Sequence, residues 1–146
     1  MSVSPQGPAG GGETRTGVVP ALLVMHSELA SALIHAATAV YGPVEGVPVL
    51  SNSGLSREAL EERIVGEVAG WTHGGLVLTD FWGGSCHTCG LKATRGRGEV
   101  LLLTGVNLPV LLDYLHNRDK YSPAELAERL QLKGRESIRA QRCSDR

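Results

Sequence analysis

Short apolar runs alternate with segments of helical periodicity along most of this 146-residue chain. The first run, Val18–Met25, is unbroken, which is typical of a strand buried on both faces. The next segment, Ser27–Val40, repeats apolar residues at intervals of about 3.6, which predicts an amphipathic helix. This alternation predicts an α/β protein with a doubly wound, mostly parallel sheet and helices on both faces.

The alternation continues beyond this first pair. Further strands are predicted at Val47–Leu50, Gly75–Thr79 and Glu99–Thr104. Further helices are predicted after a cap at Ser56, at Gly83–Arg95, at Leu108–His116, and from a capping box at Ser122–Glu125 through Leu130. The last segment, Gly134–Gln141, is short and charged, with β-like residues around Ser137.

The length of the chain predicts one domain of ordinary size. Residues 1–17 are rich in Gly, Ser and Pro and bury too little apolar surface to offset their ordering entropy, so we predict a disordered tail. The predicted domain covers residues 18–141, and residues 142–146 form a C-terminal tail.

Charge and composition exclude several classes of function. The formal net charge is -1 and aromatic residues make up 4% of the chain, which argues against a nucleic-acid partner. No apolar run approaches the roughly 20 residues that span a bilayer, and no secretory signal is visible. Cysteines number three, an odd and sparse count that predicts a reducing, cytoplasmic setting.

Polar residues follow the first and third predicted strands, where ligands bind in parallel α/β sheets. His26 comes directly after the first strand, and Asp80 directly after the third. In a strand order of the 2-1-3-4 type, the two side chains face each other across a crevice. A carboxylate bound to one ring nitrogen leaves the other with a free lone pair, which makes the histidine a nucleophile.

The turn after Asp80 offers a binding site for an anion. Gly83, Gly84 and Ser85 open a helix, where main-chain N–H groups and the positive helix end can meet a phosphate. Together with His26 and Asp80, this turn fits transient phosphorylation of a histidine. Simpler interpretations stay open, because His26 can bond a main-chain carbonyl, Asp80 can cap the helix, and most such turns are only loops.

Cys86 and Cys89 form a C-x-x-C pair at the start of the same predicted helix. That position lowers the pKa of a thiol and suits a dithiol redox pair. A zinc site would need further ligands, such as His87, and the chain has no second C-x-x-C. The simplest interpretation is two small side chains packed at a helix start, and we predict neither a metal nor a cofactor.

Two stretches resemble the mannose-type EIIA component of the bacterial phosphotransferase system (PTS). Ala21–Gly42 resembles the strand and helix that carry the phosphorylated histidine of that family. Gly75–Leu115 contains the most specific pieces, LTDFWGGS and TGVNLPVLL. The similarity extends from about Val18 to Gln141.

The resemblance implies a phosphocarrier whose His26 accepts a phosphoryl group from the protein HPr, on Nε2, while Asp80 orients the ring. Gly84 and Ser85 would contact the phosphoryl oxygens. An EIIB component would receive the group, and a membrane permease would be reached only through EIIB. The resemblance also implies a homodimer that exchanges a short antiparallel C-terminal strand, which Glu136–Gln141 matches.

The chain departs from the family pattern at two places. Ser27 stands where the family usually has glycine, and its hydroxyl can cap the first helix or bind the phosphate. The segment Cys86-His87-Thr88-Cys89 stands where the family usually has proline and then small or polar residues. Two other functions therefore stay open: a regulatory protein that uses phosphorylation as a switch, and a redox or metal-binding module built on the cysteine pair.

Overall fold

The computed structural model describes residues 17–144, and it confirms the predicted alternation of strands and helices. The strands are β1 (Ala21–Met25), β2 (Val49–Ser51), β3 (Gly75–Thr79) and β4 (Val100–Leu103). The helices are α1 (Leu29–Tyr41), α2 (Arg57–Val68), α3 (Ser85–Ala93), α4 (Leu108–Asn117) and α5 (Pro123–Ser137). Residues 1–16 of the predicted N-terminal tail and residues 145–146 of the C-terminal tail lie outside the described part.

The strands form one parallel sheet in the predicted order, β2-β1-β3-β4. Every residue of β1 is fully buried, which explains its unbroken apolar run. β1 pairs with β3, and Val24 lies opposite Thr79 near the ends of both strands. The residues that directly follow β1 and β3 are therefore neighbours at the carboxyl edge of the sheet.

Helices cover both faces of the sheet, as predicted. On one face, α1, α4 and α5 pack on side chains such as Leu23 of β1. On the other face, α2 and α3 pack on side chains such as Leu22. The hydroxyl of Tyr114 in α4 donates a 2.6 Å hydrogen bond to the carbonyl of Val19, which ties α4 to the segment that leads into β1. Within residues 17–144, no helix is long and apolar enough to cross a membrane.

Two predicted helix caps are confirmed. Ser122 and Glu125 form a complete capping box, in which each side chain accepts the main-chain N–H of the other residue. The Ser56 hydroxyl accepts the N–H of Ala59 at the start of α2. Each cap satisfies helix N–H groups that have no partner within the helix.

The C-terminal region differs from the prediction. Helix α5 continues past Leu130 to Ser137. Gly134 lies within it, and a Cβ there would be only 3.0 Å from Val110 Cγ2, so the small residue lets α5 stay packed on α4. Ile138 is extended and 81% exposed, and residues 138–142 pair with no strand in the described part of the chain. The predicted strand at Glu136–Gln141 thus begins with two helical residues, and its exchange between subunits stays a prediction.

We expect Gly74→Ala to destabilise the fold more than Gly54→Ala. Both glycines have positive φ, 87° and 73°, so alanine costs about 1–2 kcal/mol at either position. At Gly74 a Cβ would also meet the carbonyl oxygen of Glu99, whereas nothing lies within 4 Å at Gly54. That clash should add about 1–3 kcal/mol to the loss of unfolding free energy in urea. Equal losses in the two variants would contradict the close approach at Gly74.

Candidate phosphorylation site

The first residues beyond β1 and β3 are in direct contact. Asp80 Oδ2 lies 2.8 Å from His26 Nδ1 and accepts a 2.9 Å hydrogen bond from the main-chain N–H of His26. Asp80 Oδ1 accepts the N–H of Phe81 at 3.1 Å. The structure thus brings together the two residues proposed as catalytic from the sequence. Asp80 does not cap α3, whose N-cap is Gly84.

The Asp80 carboxylate determines which ring nitrogen of His26 carries the proton. Burial of the Asp80 side chain, which is 8% exposed, opposes ionisation. Hydrogen bonds from the main chain and ring of His26 outweigh burial and hold the pKa of Asp80 below its ordinary value. An ionised carboxylate only accepts, so Nδ1 of the neutral ring carries the proton and Nε2 has the free lone pair.

The His26 ring is held in one orientation at the surface. It is 32% exposed and stacks on the ring of Phe81, with centroids 4.9 Å apart and an interplanar angle of 28°. Gly84 lies against both rings, because a Cβ there would be 3.0 Å from His26 Cε1 and 2.7 Å from Phe81 Cζ. Ser85 Oγ lies 3.4 Å from Nε2. Nε2 of His26 therefore lies at the start of α3.

The residues of the predicted phosphate-binding turn have different environments. Gly84 is the N-cap and Ser85 the first residue of α3, and Gly84 lies against the His26 ring, so the N–H groups of the first helical turn begin beside that ring. Gly83 has a φ of 90°, and its N–H donates a 2.8 Å hydrogen bond to Nδ1 of His87. Because that donor is already engaged, Gly84 and Ser85 are better candidates than Gly83 for binding a phosphate.

Ser27 adopts the left-handed backbone conformation, with a φ of 56°. Its N–H donates to Asn52 Oδ1 at 3.1 Å, and its carbonyl accepts the hydroxyl of Ser51 at 2.6 Å. The prediction that Ser27 caps α1 is wrong: the helix starts at Leu29, its N-cap is Glu28, and no side chain caps it. An N-cap uses extended backbone, which this turn does not have. Phosphate binding by the Ser27 hydroxyl stays a prediction.

Other side chains around the site were not predicted from the sequence. Phe81 supports the His26 ring, Asn52 holds the turn at Ser27, and His87 holds Gly83. Trp82 is 77% exposed and contacts the His87 ring at a centroid distance of 4.5 Å. For Phe81 and Trp82, the sequence offered one signal of a place in the site, which is that they directly follow Asp80 in the same turn.

Burial acts against the reactivity that a redox function would require of the cysteine pair. Burial raises the pKa of Cys86 to about 12, and the nearby charge of Asp80 adds to this rise. Burial also raises the pKa of Cys89, whose thiol donates to the carbonyl of Arg57 at 3.6 Å. Both are free, buried thiols. Burial thus acts against the lowered thiol pKa that was expected at this helix N-terminus and that activates a cysteine as a nucleophile.

One group of side chains among residues 17–144 has both the ligand types and the spacing to hold a metal ion. It consists of His26, Asp80 and Cys86, which offer ligand atoms within 4.8 Å of one another. The pair proposed for phosphoryl transfer is therefore part of this group.

The fold and the His26–Asp80 pair define an α/β protein with a histidine site at the carboxyl edge of its sheet. Residues 21–131 match the family model EIIA-man, described as the PTS system fructose IIA component. This chain belongs to that family, which places it among the EIIA components of the phosphotransferase system. No curated protein matches the chain.

Solved structures share the fold at low sequence identity. The phosphotransferase system component EIIA from Streptococcus agalactiae is 21% identical, with a TM-score of 0.75, over 84% of this chain and 96% of that one. The mannose/sorbose-specific IIA subunit from Enterococcus faecalis is 14% identical, with a TM-score of 0.76, over 88% and 98%. A sigma-54 interaction domain protein from Enterococcus faecalis is 19% identical, with a TM-score of 0.70, over 86% and 100%.

We expect acid to destabilise the protein through Asp80. The pKa of Asp80 is lower in the folded chain than in the unfolded one. Its stabilisation is therefore complete above the unfolded pKa, about 4, and is lost as the pH falls through the folded pKa. Asp80→Asn lacks this contribution, so the difference in unfolding free energy between wild type and variant should shrink below about pH 4. Urea unfolding across a pH series measures it, and a constant difference would contradict the assignment.

Proposed function

We propose that this protein is a phosphocarrier that accepts a phosphoryl group on Nε2 of His26. The observation that carries the proposal is the double contact of Asp80 Oδ2 with the main chain and Nδ1 of His26. This contact leaves the lone pair on Nε2, where it accepts only a long 3.4 Å hydrogen bond from the Ser85 hydroxyl at the start of α3, which an incoming phosphoryl group would displace. Membership of the EIIA family supports the same class of reaction, because PTS EIIA components are phosphotransferases.

In the proposed reaction, the N–P bond of a donor phosphohistidine breaks as a bond forms between phosphorus and His26 Nε2. The imidazole gains positive charge, and the Asp80 carboxylate at Nδ1 stabilises that charge. The phosphoryl oxygens accept hydrogen bonds from the Ser85 hydroxyl and from N–H groups of the first turn of α3. The donor ring, protonated on its second nitrogen, takes the N–P electron pair and leaves as neutral imidazole, so no proton has to move and Nδ1 of His26 keeps its own. Transfer to the acceptor is the same reaction in reverse.

We propose phospho-HPr as the donor and an EIIB component as the acceptor, both met in the cytoplasm. Phe81 and Trp82 are 52% and 77% exposed next to His26 and His87. An apolar surface of this kind, at the rim of a reactive residue, favours a protein partner over a small solute. Association with a membrane permease would then depend on EIIB.

A second candidate is a regulatory protein in which phosphorylation of the same histidine acts as a switch. The similarity to a structure named as a sigma-54 interaction domain protein favours this alternative. A phosphoryl group would add about -1.5 to -2 charges beside the exposed Phe81 and Trp82, which would alter binding to a partner. Neighbouring genes for EIIB, EIIC and EIID components would favour transport, and their absence would favour signalling.

We also propose a homodimer that exchanges the C-terminal segment predicted at Glu136–Gln141, through its part beyond the end of α5. Ile138 is 81% exposed on extended backbone that pairs with no strand in the described chain, and such a segment tends to find a partner strand.

Ile138→Asp should therefore weaken dimerisation at least about tenfold in sedimentation experiments over a range of protein concentrations. Val65→Asp is the matched control, because Val65 is 46% exposed on α2, on the other face of the sheet. A wild-type chain that stays monomeric at every concentration would contradict the proposal.

The phosphocarrier is tested with phosphoenolpyruvate, enzyme I and HPr, followed by intact mass at neutral pH. The wild-type chain should gain one acid-labile phosphoryl group, and His26→Ala should gain none. Asp80→Asn should slow the transfer by about 100-fold, because the ring loses both its tautomer and the charge that stabilises the cation.

His35→Ala is the matched control, because His35 is an exposed histidine of α1 away from the sheet edge. It should be labelled like the wild type. Labelling that persists in His26→Ala would reject His26 as the acceptor. No labelling of the wild type, with HPr visibly phosphorylated, would reject the carrier itself.

A further inference from the structure

Phosphoryl transfer leaves one neighbour of the His26–Asp80 pair without a role, the thiol of Cys86. Cys86 is fully buried in the first turn of α3. Its sulfur, one imidazole nitrogen of His26 and one carboxylate oxygen of Asp80 all lie within 4.8 Å of one another. We propose that these three side chains bind a thiophilic divalent cation, Zn²⁺, and that the cation and a phosphoryl group exclude each other on His26.

The ligand set suits zinc in type, charge and distance. Thiolate, imidazole and carboxylate are the usual ligands of Zn²⁺, at about 2.0–2.3 Å, which places tetrahedral ligand atoms roughly 3.3–3.6 Å apart. Atoms that already lie within 4.8 Å reach this spacing through movements of about 1 Å. The charges of Cys86 and Asp80 together balance those of the ion. The fourth position is left to water on the exposed side of His26, which is 32% exposed.

The same ligand set discriminates against magnesium. Mg²⁺ prefers oxygen ligands in octahedral geometry and keeps several waters, whereas a thiolate and an imidazole favour zinc. Cys89 lies one turn along α3 but outside the group, and its thiol donates to the carbonyl of Arg57. It therefore provides a matched control for Cys86.

Metal binding and phosphorylation compete for one lone pair. As the S–Zn bond forms, the Cys86 thiol releases its proton to solvent. If Nδ1 of His26 binds the metal, its proton moves to Nε2. If Nε2 binds instead, its lone pair is already in the metal bond. In both arrangements Nε2 has no free lone pair, so His26 cannot attack phosphorus.

Binding is tested on the untagged full chain with Cys143→Ser in every variant, because Cys143 is exposed. Co²⁺ replaces Zn²⁺ as a spectroscopic probe and should give a thiolate-to-cobalt charge-transfer band, which added Zn²⁺ removes. Cys86→Ala should lose the band and weaken zinc binding at least about tenfold, whereas Cys89→Ala should keep both.

The absence of a thiolate–cobalt band in the otherwise unmutated chain would overturn the metal site, whether or not Cys86→Ala folds. Zinc affinity that is the same in Cys86→Ala and Cys89→Ala would also overturn it.

Exclusion is tested with phospho-HPr freed of enzyme I, so that the metal acts only on the last transfer. Zn²⁺ should block labelling of the chain, and an equal concentration of Mg²⁺ should not. Each variant is compared with its own rate without metal, and Cys86→Ala should lose the inhibition by zinc. Unchanged labelling of the zinc-loaded chain would overturn the exclusion.

The mutual exclusion of Zn²⁺ and a phosphoryl group rests on the proposed function, whereas the metal site does not. A chain that accepts no phosphoryl group even without zinc would overturn both the phosphocarrier and the exclusion. The cobalt spectrum would still decide the metal site, because it is measured without HPr.

Discussion

One carboxylate oxygen, Asp80 Oδ2, holds both the main chain and the ring of His26. This double contact requires β1 and β3 to be adjacent, parallel and in one register, with Val24 opposite Thr79. A slip of one residue would move the two strand ends by about 3.3 Å and break both contacts. It would also turn every side chain of the strand to the opposite face, which a sheet buried on both faces does not tolerate.

The position of His26 also depends on the end of a third strand, β2. The turn at Ser27 joins β1 to α1 through left-handed backbone, which costs a non-glycine residue about 1–2 kcal/mol. Hydrogen bonds to Asn52 and Ser51, at the end of β2, offset that cost. β1, β2 and β3 therefore contribute to the position of one imidazole, while Phe81 and Gly84 restrict its rotation.

Signals that are local in the sequence predicted the fold well. The strand predicted at Val18–Met25 and the capping box at Ser122 are each determined by residues that lie within a few positions of one another. The His26–Asp80 pair was also predictable, because ligand sites lie beyond strand ends once the strand order is known. The hydrogen bond from the Gly83 N–H to His87 could not be predicted, because a side chain that accepts a main-chain N–H leaves no periodic pattern in the sequence. The close packing of Gly134 on α4, in the part of α5 beyond its predicted end, is equally invisible in the local sequence.

If His26 is the phosphoryl acceptor, as proposed, the buried thiol of Cys86 beside it has to be a poorer nucleophile than the imidazole. A cysteine attacks phosphorus as a thiolate, so its proton must have left before the attack. Burial and the nearby charge of Asp80 raise the pKa of Cys86 and keep its thiol protonated. The His26 ring differs, because Asp80 holds its proton on Nδ1 and leaves Nε2 free. A metal ion is a different kind of electrophile, since it displaces the thiol proton as it binds. In the two proposed reactions, the same carboxylate would thus direct phosphorus to nitrogen alone, while a cation would bind both the nitrogen and the sulfur.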